Sequence, residues 1–381
     1  VLAANRWAYY TEGQVDGADG DDTTDTFTSG AGYSVKMQAS GDISFTGTMP
    51  SDAVGVTITD GTGGGGNAFN LIGNPYPSAI SYASFISANS HIDGTIYFWT
   101  HQTAPSYQDS PFYYDFVYNY SDDYIDSNYT GSNPPSFNGD IAAGQGFFVL
   151  MRDQSQGTSA SEDVIFNNTM RNETLINSEF YRTNESSVRR PSEIERHRIW
   201  LDLINPNEIA TSILIGYVEG ATNDNDRLYD GYEFAGSAIS FYSLIDEDKM
   251  SIQGKALPFE DTDTVPLGLV IPEEGNYTIA INSLDGLFSA EEGEEEQTIY
   301  LEDTYNGIIH DLRVNPYSFT SEVGRYDDRF VLRYTDESLG TDEFNSSSLE
   351  IIAPNNAYIK VTSGNSAISS VTLYDLLGRV L

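Results

Sequence analysis

The chain contains no cysteine among its 381 residues. Disulfide bonds and thiolate metal sites therefore cannot stabilise the fold, and a cysteine nucleophile is excluded. Long apolar runs are also missing: none reaches the roughly 18 residues of a membrane-spanning helix, so we predict no transmembrane segment. The first residues, VLAANRWAYYTEG, lack the basic and apolar regions of a signal peptide, and they are predicted to form an internal strand.

Positive charge is scarce as well. Lysine and arginine number 18 against 57 aspartates and glutamates, which gives a formal net charge of -39. Such a charge repels the phosphate backbone of nucleic acids and the anionic surface of membranes. We therefore predict that nucleic acid is not a partner of this protein.

Long leucine- and alanine-rich helical stretches are absent, whereas strand formers and turn formers are abundant, with 26 tyrosines, 19 phenylalanines and 34 glycines. Short apolar or alternating runs lie between turn clusters along most of the chain. This pattern predicts an all-β fold with two antiparallel β-sandwich or jelly-roll domains, followed by part of a small third β-sandwich.

The breaks between the strand series set the predicted domain limits. A polar, weakly periodic stretch separates the two large series, and a second polar stretch, DESLGTDEFNSSS, precedes the last strands. The predicted organisation is a β-sandwich with a long Tyr/Asp-rich loop (1–170), a linker or crossing strand (171–197), a jelly-roll-like sandwich (198–335), a spacer (336–348) and a partial small domain (349–381).

A single short helix is predicted in the first series. The sequence ISYASFISAN follows the start signal Pro77-Ser78, and its spacing places Ile80, Phe85 and Ile86 on one inward face. Helix content is therefore expected to be low.

Several motifs resemble one known class of bacterial proteins. In order along the chain they are LIGNPYPSAIS, AAGQGFFV, VIFNNTMR, RIWLDLIN, ILIGYVEGATNDNDRLYDG, DRFVLRYT and LGTDEF, followed by LEIIAPNNAYIKVTSGNSAISSVTLYDLLGRVL. This series resembles the C-terminal regions of surface proteins that are exported by the type IX secretion system. The last segment is similar to the opening of the C-terminal sorting domain, in which YDLLGRV marks a central hairpin, and we expect the sorting domain to be truncated here.

The resemblance implies a route and a location. It implies that the outer-membrane machinery of type IX secretion is a partner, and that the protein is extracellular and attached to the cell surface at the outer membrane. Bacteria of this kind attach O-glycans at Asp-Ser/Thr motifs, and the sequences DTT at Asp22 and DTV at Asp263 are similar to that signal. Thr23 and Thr264 are therefore candidate glycosylation sites by resemblance.

Catalytic motifs are not apparent. A base for nucleophilic catalysis would have to be one of four histidines, and none lies in a G-x-S-x-G or H-E-x-x-H context. Carboxylate pairs for glycoside hydrolysis stay open, because so many acidic residues give little information by spacing. We predict that the chain is not an enzyme.

A metal site is predicted in the sequence TNDNDRLYDG. Asp224, Asp226 and Asp230 lie in an Asp/Asn-rich turn, and hard oxygen ligands at alternating positions suit calcium. The offsets are not those of an EF-hand, so a hydrogen-bonded turn without metal is the alternative.

A sugar-binding surface is predicted in the long loop. It combines many tyrosines with carboxylates, which can stack on sugar rings and hydrogen-bond to hydroxyls; the candidate ligand-binding residues are Trp99, Tyr107, Tyr113, Tyr114, Tyr118 and Tyr120, with Tyr124 beside them. The alternative is that these rings pack the loop onto its own sandwich.

Two functions from different classes follow. The first is a non-catalytic region of a secreted, surface-attached adhesin or structural protein, with surface glycans as candidate ligands. The second is an accessory or carbohydrate-binding region of a secreted enzyme that acts on polysaccharides.

Overall fold

The computed structural model describes most of the chain from residue 27 onward, in residues 27–33, 47–60, 69–99, 124–135, 137, 139–152, 161–177, 194–234, 239–289, 296–336, 349–352, 360–363, 372 and 379. The chain divides into two compact units, Val1–Thr335 and Asp336–Leu381. The described residues are nearly all in strands, turns and loops. The predicted all-β class is confirmed.

The first strand series forms a five-stranded sheet and two small ladders. Its strands are β1 (Val54–Thr59), β2 (Phe69–Gly73), β3 (Ile80–Ser81), β4 (Ile92–Trp99), β5 (Tyr124–Ser127), β6 (Ser132–Asn133), β7 (Asp140–Ile141), β8 (Gly146–Met151) and β9 (Ser161–Phe166). The sheet has the order β2-β8-β4-β5-β6, and β1 pairs with β9 while β3 pairs with β7. All of these pairings are antiparallel.

The second series builds one large sheet of eleven strands. Its members are β10 (Arg196–Ile204), β11 (Ala210–Val218), β12 (Gly231–Tyr232), β13 (Ser240–Ile245), β14 (Asp248–Lys255), β15 (Thr264–Ile271), β16 (Gly275–Asp285), β17 (Tyr300–Asp303), β18 (Ile308–Asp311), β19 (Tyr317–Ser321) and β20 (Gly324–Arg333). Their order is β18-β17-β20-β15-β13-β14-β11-β10-β16-β19, and β12 pairs with β14 off this path. Pairing is antiparallel except between β11 and β14.

Side-chain alternation gives the central strands two different faces. In β10, Ile199, Leu201 and Leu203 enter the main core of the second series, whereas Trp200 between them belongs to a small separate cluster with Leu214 and Ile252. Successive residues of a strand point to opposite sides of the sheet. The second sheet therefore has a large interior core and a second buried face.

The five-stranded sheet also has two buried faces. Ile96 and Phe98 of β4 lie in the core of the first series, and Tyr97 between them is fully buried on the opposite face. The core face is covered by β1, β9 and the α-helix Tyr82–Ala88. The residues that cover the Tyr97 face belong to the candidate site described below.

The predicted helix is present over Tyr82–Ala88. It begins after Ser81, whose side chain accepts a hydrogen bond from the Ser84 amide as an N-cap. Phe85 and Ile86 face the core as predicted, but Ile80 lies in β3 before the helix and is buried there. The remaining described helices are single 3₁₀ turns, Asn168–Met170 and Gly286–Phe288.

Two separate hydrophobic cores lie within the first compact unit, one for each strand series. The described part of the predicted linker, residues 171–177, contacts the first series: the Arg171 Nε donates to Ser78 Oγ over 2.8 Å, and the Ile176 amide donates to Asp140 Oδ2 over 2.8 Å. Strand β10 begins at Arg196, inside the predicted linker. The predicted limit between the first two domains stays a prediction.

The second compact unit begins at Asp336, where the spacer is predicted to begin. Within it, β21 (Leu349–Ile352) pairs antiparallel with β22 (Lys360–Ser363). The YDLLGRV hairpin lies almost wholly outside the described residues. The described helices also include none that is long and apolar enough to cross a membrane.

A buried ion pair fixes one end of the large sheet. The Arg329 Nη2 lies 3.0 Å from Asp303 Oδ2, and the side chains are 7% and 0% exposed. Tyr317 and Asn306 also donate hydrogen bonds to the Asp303 carboxylate. Burial alone raises the pKa of Asp303, but the hydrogen bonds from Arg329 and Tyr317 outweigh it and the net pKa is lowered.

Removal of one partner of this pair should strongly destabilise the fold. We expect Arg329→Leu to lower the free energy of unfolding by about 3–5 kcal/mol, because it leaves the Asp303 carboxylate buried without its charge partner. Adding Asp303→Asn should recover part of that loss in denaturant titrations. The exposed pair of Arg325 with Asp327 is the control, and Arg325→Leu should cost at most about 1 kcal/mol. A double variant no more stable than Arg329→Leu would contradict this account.

Candidate functional site

The predicted calcium motif lies where the two strand series meet. Residues 226–234, which we call the clamp segment, follow β11 and include β12. One side of the segment contacts the five-stranded sheet, and the other side joins the large sheet. The clamp segment is therefore the candidate functional site.

Main-chain carbonyls of the clamp segment accept hydrogen bonds from the first series. The oxygens of residues 227, 228, 229 and 230 accept in turn from the Gly94 amide (2.8 Å), the Tyr129 amide (3.0 Å), the Thr130 hydroxyl (2.6 Å) and the Thr95 hydroxyl (2.8 Å). The Tyr97 hydroxyl then donates to the oxygen of residue 232 over 2.8 Å. The segment is bound along its length, so its position relative to the sheet is fixed.

Arg227 also joins the clamp segment to the helix. Its Nε donates to the Ile92 oxygen over 2.7 Å, and its Nη2 donates to the oxygens of Asn89 and Ile86 over 2.8 and 3.2 Å. The last carbonyls of a helix have no partner within the helix, and a guanidinium satisfies them with a favourable charge. Arg227 thus closes the C-terminal end of Tyr82–Ala88 from another strand series.

Phe234 ends the clamp segment inside a ring of aromatic side chains. Its ring centroid lies 4.5 Å from Tyr124, 4.6 Å from Phe69, 5.0 Å from Phe148 and 5.5 Å from Tyr97. Aromatic pairs at these separations contribute beyond the area they bury. Four strands of the five-stranded sheet, β2, β8, β4 and β5, therefore contact a single side chain of the second series.

The opposite side of the clamp segment is part of the large sheet. Gly231 and Tyr232 pair with Ile252 and Met250 of β14. The Asp230 carboxylate accepts from the Gly254 amide over 2.8 Å through one oxygen and from the Asp226 amide over 2.6 Å through the other. Asp230 therefore holds both its own turn and the neighbouring strand.

Glycines permit the two series to approach closely. A Cβ at Gly94 would lie 2.5 Å from the Arg227 oxygen and 2.8 Å from the Leu228 Cα, which are main-chain atoms. A Cβ at Gly231 would lie 2.8 Å from Thr95 Oγ1. Any larger residue at Gly94 would have to move the clamp segment away from β4.

Carboxyl groups are buried along this junction. Burial raises the pKa of Asp126 to about 7 and that of Asp93 to about 6, although Ser251 and Arg152 respectively oppose the shift. Burial also raises the pKa of Asp230 to about 7 against the two amides that donate to it, and it raises the pKa of Glu233. Ionisation of these groups therefore weakens the junction.

The three predicted calcium ligands are not brought together as a ligand set. Asp230 points inward to the Gly254 and Asp226 amides, and Asp226 accepts from the Thr222 amide. Nowhere in the described ranges are three or more His, Asp and Glu side chains grouped to hold a metal ion. The geometry corresponds to the alternative of a hydrogen-bonded turn, and calcium binding stays a prediction.

The predicted sugar-binding residues fall mostly outside the described residues. Tyr107, Tyr113, Tyr114, Tyr118 and Tyr120 all do so. Trp99 is the last residue of β4 and lies opposite Tyr124 of β5. The Tyr124 ring packs on Phe234, which for this ring corresponds to the alternative of packing within the sandwich.

Of the two glycosylation candidates, one also lies outside the described residues. Thr23 lies outside the described residues. Thr264 is half-buried at the first position of β15, opposite Arg333 of β20. Its neighbour Asp263 accepts from Tyr217 and lies 3.0 Å from the Lys255 Nζ. Glycosylation at either threonine stays a prediction.

Two of the described histidines, His197 and His310, have structural contacts. His197 Nε2 lies 3.1 Å from Glu195 Oε1, and its Nδ1 accepts from the Leu287 amide. His310 Nε2 lies 2.8 Å from the Asn315 oxygen. Burial lowers the pKa of His91. These contacts position β10, the 3₁₀ turn at Gly286–Phe288 and the turn after β18.

The sequence did not identify the partners of the clamp segment. Thr95 and Thr130 are ordinary strand and turn residues, and their hydroxyls gain a role only because β4 and β5 lie against the segment. Gly94 carries no turn signal either. The signal in the sequence was the density of polar residues after β11, which marked this segment as a candidate site.

The fold and the junction define a class: an all-β protein in which two strand series share one compact unit through an inserted clamp segment. Residues 2–334 match a family model described as a domain of unknown function, DUF8693. The match covers most of the chain, so the chain belongs to this family. Comparison with curated proteins gives no match, and comparison with solved structures gives none.

The close approach at Gly94 can be tested directly. We expect Gly94→Ala to lower the free energy of unfolding by about 1–3 kcal/mol, because the new methyl group overlaps main-chain atoms of the clamp segment. Denaturant titration measures the loss, and hydrogen exchange should accelerate at the amides of residues 94 and 129. Gly55→Ala in β1 is the control, since its nearest atom lies at 3.5 Å. Equal effects of both substitutions would contradict the role of the junction.

The buried carboxyls predict a pH dependence with a definite sign. Their pKa values are higher in the folded chain than in the unfolded chain, so folding takes up protons between about pH 4 and pH 7. The free energy of unfolding should therefore fall between about pH 4 and pH 7, with each fully buried group contributing about 1–4 kcal/mol.

Asp126→Asn removes one of these ionisations and should reduce the fall. Glu274→Gln is the control, because Glu274 is exposed, and this variant should follow the unsubstituted protein. Thermal or denaturant unfolding at the two pH values measures the difference. An Asp126→Asn variant that loses as much stability as the unsubstituted protein would refute the assignment.

Proposed function

We propose that this chain is a non-catalytic region of a secreted protein that is attached to the cell surface, where it serves adhesion or structure. The single observation that carries the proposal is the junction at the clamp segment. It joins two sheets by main-chain hydrogen bonds, an arginine cap and an aromatic insertion. A module that must hold its shape outside the cell benefits from such a junction, because local opening of one sheet is resisted by the other.

The surface chemistry is compatible with this role. A net charge of -39 keeps the molecule soluble and repels anionic surfaces. The absence of cysteine leaves the fold independent of the redox state of its surroundings. Stability then depends on packing and on hydrogen bonds such as those at the clamp segment.

The route to the surface is proposed from the resemblance of the motifs to type IX secretion cargo. In this proposal the segment from residue 349 onward is handled by the outer-membrane machinery, and residues up to 335 form the exposed module. The family match covers the module and leaves this last segment outside it. Export is therefore the part of the proposal that most needs a direct experiment.

Surface exposure can be measured on intact cells that produce the protein. Antibodies against residues 27–335 should label intact cells, and added protease should remove the label without lysis. Deletion of the type IX outer-membrane pore should abolish labelling while the protein accumulates inside. Labelling that appears only after lysis would refute surface attachment, and labelling that survives loss of the pore would refute the route.

A further inference from the structure

A shallow, open cleft of about 480 Å³ lies beside the loop between β14 and β15, and no residue of the clamp segment lines it. Its lining residues are Phe259, Glu260, Asp261, Thr262 and Gln297. Small-molecule sites commonly have volumes of several hundred Å³ and combine an apolar surface with a few polar groups. The cleft has both kinds of surface.

The apolar part of the cleft is a rigid aromatic wall. The Phe259 ring centroid lies 4.8 Å from Tyr217, 4.9 Å from Tyr334 and 5.4 Å from Phe288, all in edge-to-face arrangements. Those three partner rings are buried, whereas Phe259 is half-buried and reaches the cleft. The Phe259 ring is therefore held in position by the buried rings that pack against it.

The loop that carries the polar groups is fixed as well. The Asp263 amide donates to the Glu260 oxygen over 3.1 Å, which closes a turn. The Asp263 carboxylate lies 3.0 Å from the Lys255 Nζ and accepts from the Tyr217 hydroxyl over 2.7 Å. The charge of the buried Lys255 is thereby matched within the protein, so Lys255 does not offer the cleft a free cation.

The polar groups that remain are mainly hydrogen-bond acceptors. Within the described part of the chain, the side-chain oxygens of Glu260, Asp261 and Thr262 have no hydrogen-bond partner, and neither does the Oε1 of Gln297. The Nε2 of Gln297 makes only long contacts, 3.3 Å to the Tyr334 oxygen and 3.5 Å to the Thr298 oxygen. A ligand with several hydroxyl donors could satisfy these acceptors.

We propose that this cleft binds a neutral oligosaccharide. Sugar hydroxyls donate to the carboxylates of Glu260 and Asp261 and to Gln297, and the C–H face of a sugar ring packs on Phe259. Anionic ligands are disfavoured by the two carboxylates and by the net charge of -39. The site goes beyond the proposed surface role, which does not depend on it.

The proposal can be tested with the purified chain and three probes: cellohexaose, laminarihexaose and xylohexaose. We expect at least one of them to give saturation-transfer signals in NMR and a measurable Kd in calorimetry. Gln297→Leu should weaken binding about fivefold through a lost hydrogen bond. Asp261→Asn should weaken it severalfold, and Phe259→Ala should weaken it about threefold to tenfold.

Controls separate binding from folding and from charge. Glu274→Gln lies outside the cleft and should bind as the unsubstituted chain does, and melting curves should show that Gln297→Leu and Asp261→Asn fold normally. Binding should be nearly unchanged between about 50 mM and about 500 mM NaCl, since a neutral ligand is not screened. Failure of all three probes, binding unaffected by both variants, or loss of binding at high salt, which indicates a cationic ligand, would each overturn the proposal.

Discussion

The structure of the larger unit depends on nine residues inserted between two sheets. Residues 226–234 contribute a strand to the large sheet while their carbonyls accept from the five-stranded sheet. A main-chain segment has donors and acceptors on both sides, and buried ones must be paired. By pairing one side with each sheet, the segment satisfies its own main-chain polar groups and holds the two sheets together.

Burial at this junction has an electrostatic cost that the sequence composition makes hard to avoid. A chain with 57 acidic and 18 basic residues has few cations to place beside buried carboxyls. At the junction, Arg227 donates to carbonyl oxygens and Asp230 accepts from main-chain amides, while Arg152 and Lys249 lie only 3.8 and 3.7 Å from Asp93 and Glu233. Where a cation hydrogen-bonds directly to the carboxylate, as Arg329 does to Asp303, the carboxyl pKa is lowered, whereas Arg152 at 3.8 Å does not offset the burial of Asp93. The pKa of a buried carboxyl therefore shifts in opposite directions at the two sites.

Pattern reasoning was successful where one strand or one helix decides the outcome. The all-β class followed from turn spacing and aromatic content, and the helix at Tyr82–Ala88 followed from its apolar face. At the TNDNDRLYDG motif, alternating carboxylates predicted metal ligands, and calcium binding there stays a prediction. Asp230 instead accepts from Gly254, which is distant in sequence, and no local pattern could reveal that partner.

The sequence alone determined the secondary-structure class, the strand series and the excess of negative charge, because periodicity and composition act over a few residues or over the whole chain. Only the tertiary structure decided which buried face meets which partner. Tyr97 and Trp200 look like any strand residues, yet each lies on a second buried face where the strand series meet. Contacts between residues 68 and 135 positions apart depend on how the sheets pack, and that packing is set by shape complementarity across the whole unit.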